Sequence, residues 1–414
     1  MRQISKGADD DVRMRGFRQR HTVDAALAWL DAQLRPLLSE IVPLRAAAGR
    51  VLAASVVSNV DVPGFDRATM DGYALVADST EGATAYTRIP LNVIGDSMPG
   101  AAFEGSVSPG EAVRVMTGAP LPRGADAVLP AEFVEAEPRA IHALAAVSPG
   151  KNVGKRGEDI QRGTTLLAPG RVLRPQDLGV LSSIGQGEVC VVRRPKVRLV
   201  VTGNELLPSG SPPHGFHIAD ANGPMLAALI EWDGGVLDFP GLIRDDRDVI
   251  IEALHADADI IVVTGGSSVG IEDLAPMLVA QHGELAVHGI AMRPSSPTGM
   301  GRIEHRLVFL LPGNPVSSLC AYDFFAGRAI RALGGRGKIW PYRSIRAKLN
   351  RKISSPIGRL DYARVRIVDG LVEPLSIGGA SLLSSTTRAD GFVIVGDDSE
   401  GFAAGAEVEV WLYA

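Results

Sequence analysis

Three largely apolar runs, each ending in a glycine-bearing turn and followed by a helical pattern, constrain this chain more than any other feature. They are residues 196–201, 259–263 and 307–311, with turns at Thr202-Gly203, Thr264-Gly265-Gly266 and Pro312-Gly313-Asn314-Pro315. Strands that are apolar along their whole length are typical of a parallel sheet buried on both faces. Their alternation with helices indicates a three-layer α/β domain. In such sheets ligands bind at the carboxyl ends of the strands, where all three turns fall.

The regions on either side of this domain differ from it in composition and in the periodicity of their apolar residues. Between residues 59 and 148, glycine and proline punctuate short β-branched runs, which is typical of small antiparallel strands joined by turns. Beyond Trp340, short alternating strands return and indicate a β-barrel-like domain. The sequence therefore predicts an α/β plus all-β, multidomain chain: a flexible tail at 1–20, a discontinuous N-terminal linker or dimerisation domain at 21–58 and 149–192, a β-rich insert at 59–148, the α/β domain at 193–337 and a β-barrel domain at 338–414.

Two long helices are predicted from apolar periodicity. Apolar residues recur at steps of three and four from Thr22 to Leu38, which indicates one helix over that stretch with Thr22 as its N-cap. A second uninterrupted helix is predicted from Val316 to Leu333, directly after the turn at residues 312–315.

Composition excludes several functional classes. The chain has 42 basic and 47 acidic side chains and a net charge of −5, so nothing draws it generally to nucleic acid or to an anionic membrane. No apolar run approaches the roughly 18 residues of a membrane helix. Cys190 and Cys320 form neither a disulfide pattern nor a zinc motif and are expected to be small buried hydrophobes. We therefore expect a cytoplasmic protein with no nucleic-acid partner and no membrane association.

The turns carry groups that suit an anion. In Thr264–Gly270 the glycines let backbone N–H groups close around a phosphate, and Ser267 and Ser268 add hydroxyl donors, although such a turn can also be purely structural. Pro312–Pro315 is either a rigid turn or a wall of the same pocket, with Ser317 opening the next helix. Six carboxylates lie beside glycine turns: Asp66, Asp71, Asp159, Glu205, Asp220 and Asp273. Each one alone is expected to cap a turn or a helix. Together they could supply the hard oxygen ligands that Mg²⁺ prefers.

Eight motifs together resemble the molybdopterin molybdenumtransferase (molybdenum insertase) family, to which the E domain of gephyrin belongs. The resemblance runs from about residue 22 to the C-terminus, and all eight motifs stand in family order. They are Met70-Asp-Gly-Tyr-Ala74, Met116-Thr-Gly-Ala-Pro-Leu-Pro122, Arg156-Gly-Glu-Asp159, Thr202-Gly-Asn-Glu-Leu206, Asp220-Ala-Asn222, Gly265-Gly-Ser-Ser-Val-Gly270, Leu311-Pro-Gly-Asn-Pro-Val-Ser317 and Gly358-Arg-Leu-Asp-Tyr-Ala-Arg364.

The resemblance implies an elongated homodimer whose α/β domain binds molybdopterin. It also implies a reaction that needs Mg²⁺, takes adenylylated molybdopterin and molybdate as substrates, releases AMP and leaves molybdenum on the dithiolene. Further implied partners are molybdopterin adenylyltransferase and apo-molybdoenzymes, both in transient contact. The site is expected between the α/β domain of one subunit and the β insert of the other.

Site residues follow from the resemblance by position. The implied catalytic residues are Asp71, Thr117, Asp159, Glu205 and Asp220, with Glu205 and Asp220 also as metal ligands. The implied pterin and phosphate contacts are Thr202, Gly203, Asn222, Gly265, Gly266, Ser267, Ser268, Gly270, Asp273, Pro312, Gly313, Asn314, Pro315 and Ser317. The implied molybdate contacts are Arg293, Ser296, Arg364 and Ser384.

One stretch departs from the family pattern. Where the family writes Lys-Pro-Gly-Lys-Pro, this chain has Met292-Arg-Pro-Ser-Ser-Pro297, so Arg293 and Ser296 replace lysines, and Pro276 replaces a third. No lysine lies between residues 197 and 337 to substitute for them. A guanidinium fork does not reproduce the point charge of an ammonium. Two hypotheses stand: an active insertase, or a diverged paralogue that binds molybdopterin as carrier, sensor or specialised transferase with weak or no molybdate insertion.

Overall fold

The computed structural model describes residues 20–265, 274–376 and 382–413. The chain forms two compact units. The α/β–barrel unit comprises the described residues up to 40 together with 49–51 and 191–414, and the insert unit comprises 41–48 and 52–190. In the described ranges, no helix is both long and apolar enough to cross a bilayer. The domain boundaries within the units stay a prediction.

A seven-stranded sheet forms the centre of the α/β–barrel unit. Its order is Val236–Asp238, Lys196–Thr202, Ile260–Thr264, Arg306–Leu311, Gly299–Ile303 and Glu284–His288, with Leu242–Ile243 also paired to Lys196–Thr202. The strands from Val236–Asp238 to Arg306–Leu311 are parallel, as predicted. Gly299–Ile303 and Glu284–His288 extend the sheet antiparallel, which was not predicted. These two strands carry glycine and charged residues instead of a continuous apolar run.

Alternate residues of the central strands pack on opposite faces of this sheet. Leu199 and Val262 belong to the core on one face, whereas Val200 and Val263 belong to the core on the other. The three-layer arrangement is therefore confirmed. The helices on the first face are Val23–Gln33, Asn222–Trp232 and those that follow Pro315, and those on the second face are Arg247–Leu254 and Ala275–His282.

The first helix is shorter than predicted. Thr22 caps Val23–Gln33 as expected, because its hydroxyl accepts a hydrogen bond from the Ala25 N–H at 3.1 Å. The extension to Leu38 was wrong. Pro36 disfavours helical backbone in the residue before it, so the helix ends before that point.

The helix predicted from Val316 to Leu333 is interrupted. It consists of the α-helix Pro315–Ala321, a π-helical turn at Tyr322–Ala326 and the α-helix Gly327–Leu333. Periodicity could not show this, because a π turn adds only one residue to an otherwise continuous apolar pattern.

The C-terminal strands close into the predicted barrel. Its five strands follow the order Leu360–Val368, Leu371–Ser376, Arg343–Leu349, Glu407–Leu412 and Gly391–Val395, and the last pairs again with the first. Short elements beside it are the strands Ile353–Ser354 and Gly401–Phe402 and the helix Ser384–Thr387. The strand Met292–Arg293 from the α/β domain pairs with Leu360–Val368 and so joins the two parts of this unit.

The insert unit is β-rich, as predicted. Its six-stranded sheet has the order Ala127–Pro130, Gly72–Leu75, Glu111–Val115, Ile89–Ser97, Ala140–Ala143 and Val134–Ala136. One pairing differs from the antiparallel expectation: Ile89–Ser97 and Glu111–Val115 are parallel, because residues 98–110 carry the chain back before the second strand begins. Other elements are the helix Pro175–Ser183 and the paired strands Val56–Val57 with Thr165–Leu167 and Arg67–Ala68 with Val153–Gly154. The strands Ser39–Pro43 and Glu188–Val192 belong neither to the six-stranded sheet nor to these two strand pairs.

Candidate functional site

The carboxyl ends of two neighbouring parallel strands come into close contact at one edge of the α/β sheet. Gly265 follows the strand Ile260–Thr264 with a φ of +86°. A Cβ at this position would lie 1.7 Å from the carbonyl oxygen of Thr202, which ends the adjacent strand. Only glycine permits this approach. The structure therefore brings together two residues that the sequence assigned to the pterin pocket.

Asn222 links the next pair of strand ends. Its Nδ2 donates to the Thr264 hydroxyl at 2.9 Å and to the Gly313 carbonyl oxygen at 2.7 Å, and the Thr264 hydroxyl donates to the Pro312 carbonyl oxygen at 3.3 Å. Asn222 is 7% exposed, and no described group donates to its Oδ1. A buried acceptor without a partner is unfavourable. This oxygen is therefore placed to accept a hydrogen bond from a ligand.

The turn after Arg306–Leu311 connects a strand to a helix, as the sequence predicts. Pro315 is the first residue of the helix Pro315–Ala321, and Asn314 precedes it without a side-chain capping bond. Gly313 and Asn314 are exposed at the sheet edge, next to Gly265. Five further predicted contacts lie outside the described residues: Gly266, Ser267, Ser268, Gly270 and Asp273.

Two predicted metal ligands flank a small pair of strands at the same edge. Glu205 directly precedes Leu206–Leu207 and is exposed, and Asp220 directly follows Ile218–Ala219 and is 5% exposed. The Gly223 N–H donates to Oδ1 of Asp220 at 2.8 Å, which leaves Oδ2. Mg²⁺ commonly takes one or two carboxylates together with water and phosphate oxygens, so these donors fit it. Among the described residues no three His, Cys, Asp or Glu side chains are grouped to hold a metal.

Sequence reasoning missed Asp245. The Thr202 hydroxyl donates a hydrogen bond to this carboxylate, and the Asn204 N–H donates to its Oδ2 at 3.1 Å. Asp245 thereby fixes the turn that follows Lys196–Thr202. The available signal was its position just after Leu242–Ile243, a short strand that pairs with the end of Lys196–Thr202.

A buried cation lies between the helix Pro315–Ala321 and the barrel. Arg364 is 1% exposed, and in the described ranges no acceptor faces its Nε or Nη2. Burial lowers its pKa, as expected for a cation without an acidic partner. Burial also raises the pKa of the Cys320 thiol, and Arg364 lies near enough to oppose that shift. A guanidinium binds oxyanions through paired N–H donors when an oxyanion is available.

Two segments that carry predicted substrate contacts are hydrogen-bonded to each other. Ser317 precedes Cys320 by three residues and so shares its helix face, and its carbonyl oxygen accepts a hydrogen bond from Ser295. Ser296 follows directly, and its buried Oγ has no partner among the described groups. Ser384 is exposed, and its hydroxyl accepts from Arg388 at 3.5 Å. No described contact brings Ser384 to Arg364.

The side chain of Arg293 forms an ion pair with Asp361. Its Nε donates to Oδ1 of Asp361 at 3.0 Å, and its Nη2 donates to Oδ2 of the same carboxylate. Asp361 is fully buried, and Arg359 lies 3.4 Å from it. The guanidinium of Arg293 therefore holds the loop after Met292 against the barrel, and it shares the single negative charge of Asp361 with Arg359.

In the insert unit, the structure joins two predicted catalytic residues. The N–H and the hydroxyl of Thr117 both donate to Oδ1 of Asp71, at 2.7 and 2.8 Å. These bonds lower the pKa of Asp71, with the backbone donor as the largest cause. Both residues are exposed, so the second carboxylate oxygen of Asp71 faces solvent.

A charged loop of the same unit carries Asp159. That residue is exposed and its N–H donates to the Val62 carbonyl oxygen at 3.1 Å. The preceding Arg156 donates from its backbone to Asp66 at 2.8 Å and from its Nε to Asp61 at 2.7 Å. Sequence reasoning named Asp66 but missed Asp61, whose spacing from Arg156 carries no local signal.

The fold defines a class: a three-layer α/β domain with glycine turns at the carboxyl ends of its parallel strands, joined to a closed β-barrel and preceded by a β-rich insert. Comparisons with known proteins agree. Residues 21–185 match the model of the MoeA N-terminal region (domain I and II), residues 198–332 match a probable molybdopterin binding domain, and residues 346–413 match the MoeA C-terminal region (domain IV).

Similar proteins cover nearly the whole chain. Molybdopterin molybdenumtransferase 2 of Mycobacterium tuberculosis is 33% identical over 383 residues, which is 89% of this chain and 94% of the relative. Molybdopterin molybdenumtransferase of Haemophilus influenzae is 32% identical over 404 residues, or 94% and 98% of the two chains. A crystal structure of a molybdopterin biosynthesis MoeA protein from Pyrococcus horikoshii has a TM-score of 0.80 at 35% identity and covers 95% of this chain and 99% of that one.

This chain belongs to the molybdopterin molybdenumtransferase (MoeA) family. It is thus an enzyme of the transferase class that acts in molybdenum cofactor biosynthesis, and the resemblance seen in its motifs is confirmed.

Proposed function

We propose that the protein transfers molybdenum from molybdate to adenylylated molybdopterin and releases AMP. The observation that carries this proposal is Arg364, a buried cation whose Nε and Nη2 meet no acceptor within the described residues. A guanidinium in a dry environment binds an oxyanion through parallel N–H donors. Molybdate is a tetrahedral oxyanion that suits these donors, and we propose that the hydroxyl groups of Ser296 and Ser317 bind it as well.

The pterin would bind at the sheet edge. There the buried Oδ1 of Asn222 accepts an N–H from the substrate, and Gly265 and Gly313 let its polar end approach the backbone. The sheet edge lies at the start of the helix Pro315–Ala321, and Arg364 lies near Cys320 towards its other end. The same short helix therefore connects the two proposed binding positions.

Glu205 and Asp220 would hold Mg²⁺ at the same edge. When bound, the cation would supply positive charge to the phosphate oxygens of the adenylate. Asp220 is oriented for this by its bond from Gly223, whereas Glu205 is free to move because it is exposed. Water would form a bond to phosphorus as the phosphoanhydride bond to AMP breaks, AMP would leave, and a carboxylate within reach would accept the proton of the water.

The insert unit would complete the site from a second subunit. Asp71 and Thr117 form one hydrogen-bonded pair, and Asp159 lies on a loop tied by Asp61 and Asp66. We propose a homodimer, as the family resemblance implies, with transient delivery from molybdopterin adenylyltransferase and onward to apo-molybdoenzymes. Light scattering of the purified protein tests the dimer.

The test of the reaction follows AMP release from adenylylated molybdopterin and Mg²⁺, with and without molybdate. We expect molybdate-dependent release, and we expect Arg364→Ala to weaken molybdate binding by about tenfold to a hundredfold. Arg366→Ala is the matched control, because Arg366 lies on the same strand but is exposed and paired with Glu373 at 2.7 Å. Equal effects of the two substitutions would contradict the pocket.

The binding paralogue is the second candidate function. It is favoured by Arg293, whose charge is bound to Asp361 and does not stand in for a free lysine. Tight binding of the adenylate without AMP release at high molybdate would establish it. In that case Ser296→Lys, which restores a family cation beside Arg364, should recover molybdate-dependent release.

A further inference from the structure

One buried carboxylate joins the helical segment after Pro315 to the C-terminal part of the chain. Asp323 lies in the π-helical turn Tyr322–Ala326 and is 2% exposed. Its Oδ1 accepts a hydrogen bond from the Tyr342 hydroxyl at 2.8 Å, and its Oδ2 accepts one from the Tyr362 hydroxyl at 3.0 Å. The indole N–H of Trp340 donates to its backbone carbonyl at 3.0 Å. Three groups from outside the helix therefore converge on one helical residue.

Tyr362 connects this carboxylate to the anion pocket. Arg364 is two residues further along the same strand, so both side chains leave the same face of it. The Tyr362 ring stacks on Phe392 with centroids 4.1 Å apart, and Phe392 is the cross-strand neighbour of Arg364. Fixing Tyr362 therefore fixes the part of the strand from which Arg364 projects.

Arg364 depends on such indirect support. Asp361, three residues before it, is already paired with Arg293. No carboxylate in the described part of the chain forms an ion pair with Arg364 itself. A long side chain without a partner loses conformational freedom when it is held in one position, so the placement of its strand decides where its charge lies.

We propose that Asp323 is a positioning residue for molybdate. By accepting hydrogen bonds from Tyr342 and Tyr362 it holds the strand Leu360–Val368 against the π-helical turn Tyr322–Ala326, and this fixes the position from which Arg364 projects. The inference rests on the proposed function, since it requires an oxyanion at Arg364.

Calorimetric titration of molybdate into the full-length protein tests the proposal without turnover. We expect the double variant Tyr342→Phe/Tyr362→Phe to bind molybdate about tenfold more weakly. Tyr413→Phe is the matched control, because in the described structure the Tyr413 hydroxyl contacts that of Tyr362 at 2.6 Å and does not bond Asp323. It should change the affinity by no more than about twofold.

Two further measurements separate positioning from general loosening. Asp323→Asn keeps one acceptor oxygen and gains an N–H donor for the other phenol, so it should retain affinity within about threefold. The affinity for adenylylated molybdopterin, which binds at the sheet edge, should stay unchanged in all these variants. A loosened domain would weaken both ligands together.

The outcomes distinguish this proposal from the proposed function. Wild-type affinity in the double variant, or an equal loss in Tyr413→Phe, overturns the positioning role alone. If the wild type does not bind molybdate, or if Arg364→Ala binds it normally, the pocket itself is wrong and the proposal falls with it. If the double variant does not fold, Tyr342→Phe alone should lose about threefold, and an unchanged affinity in that protein overturns the proposal.

Discussion

At position 265 the backbone itself requires glycine. The positive φ costs any other residue about 1 to 2 kcal/mol, and the neighbouring Thr202 carbonyl leaves no room for a Cβ. We expect Gly265→Ala to lower the free energy of unfolding by about 3 kcal/mol or more. Gly210→Ala is the control, because Gly210 has a φ of +83° with open space around it, and it should cost only about 1 kcal/mol. If urea denaturation shows that both variants lose the same free energy of unfolding, a clash between the Cβ at position 265 and the Thr202 carbonyl is contradicted.

Asp323 makes stability depend on pH in an unusual direction. Burial is the main cause that raises its pKa, to about 7. Below pH 7 the folded protein therefore holds a proton that the unfolded chain releases near pH 4. This contribution to stability is fully present below pH 4 and is lost as the pH rises to 7.

Asp323→Asn should remove that dependence. Between pH 5 and pH 8 the wild type should lose about 3 kcal/mol of unfolding free energy through this group, and the variant should not. Chemical denaturation at the two pH values measures the difference. The same pH dependence in both proteins would show that Asp323 ionises as freely when folded as when unfolded.

At the scale of elements, local pattern predicted the strands and most helix positions but not every boundary. The buried strand Ile260–Thr264 was predicted to within a residue, because a continuous apolar run depends only on near neighbours. The antiparallel edge Gly299–Ile303 was missed. Its pairing depends on Arg306–Leu311 being present to accept it, and no periodicity records a partner strand.

The carboxylate of Asp177 lies in the first turn of the helix Pro175–Ser183 and accepts several hydrogen bonds. Asp177 is 4% exposed; hydrogen bonds from the Arg171 guanidinium are the largest cause that holds its pKa well below the usual value. Because the folded pKa is depressed, this stability is present at neutral pH and is lost as the pH falls below 4. Asp177 also accepts from the Arg174 N–H at 2.9 Å, which caps the first turn.

Asp177→Ala should therefore cost about 2 kcal/mol at pH 7 and somewhat less at pH 3, where the unfolded chain is largely protonated at this position but the folded protein is not. Asp24→Ala is the matched control, since Asp24 lies in the first turn of Val23–Gln33 but is exposed. That substitution should change stability by no more than about 0.5 kcal/mol. Thermal unfolding at pH 7 and pH 3 compares the pair, and an equal cost at both pH values for Asp177→Ala would argue against the ion pair.

At the scale of the whole molecule, the chain contains two compact units with separate cores. Multidomain chains commonly unfold in more than one transition, so scanning calorimetry should resolve two. Gly265→Ala should lower the transition of the α/β–barrel unit and leave the other in place. Asp177→Ala should do the reverse. A single transition shifted by both substitutions would show that the two units unfold as one.

The sequence by itself determined the α/β plus all-β architecture, the family and the glycine turns at the strand ends, because these depend on short-range periodicity, backbone conformation and residue order. Only the tertiary structure decided which side chains are paired. Arg293 is bound to Asp361 although its position matches that of a family lysine, and Arg364 is buried without a described acid. Such pairings join residues far apart in the chain, and packing alone sets which charges meet and which are left for a ligand.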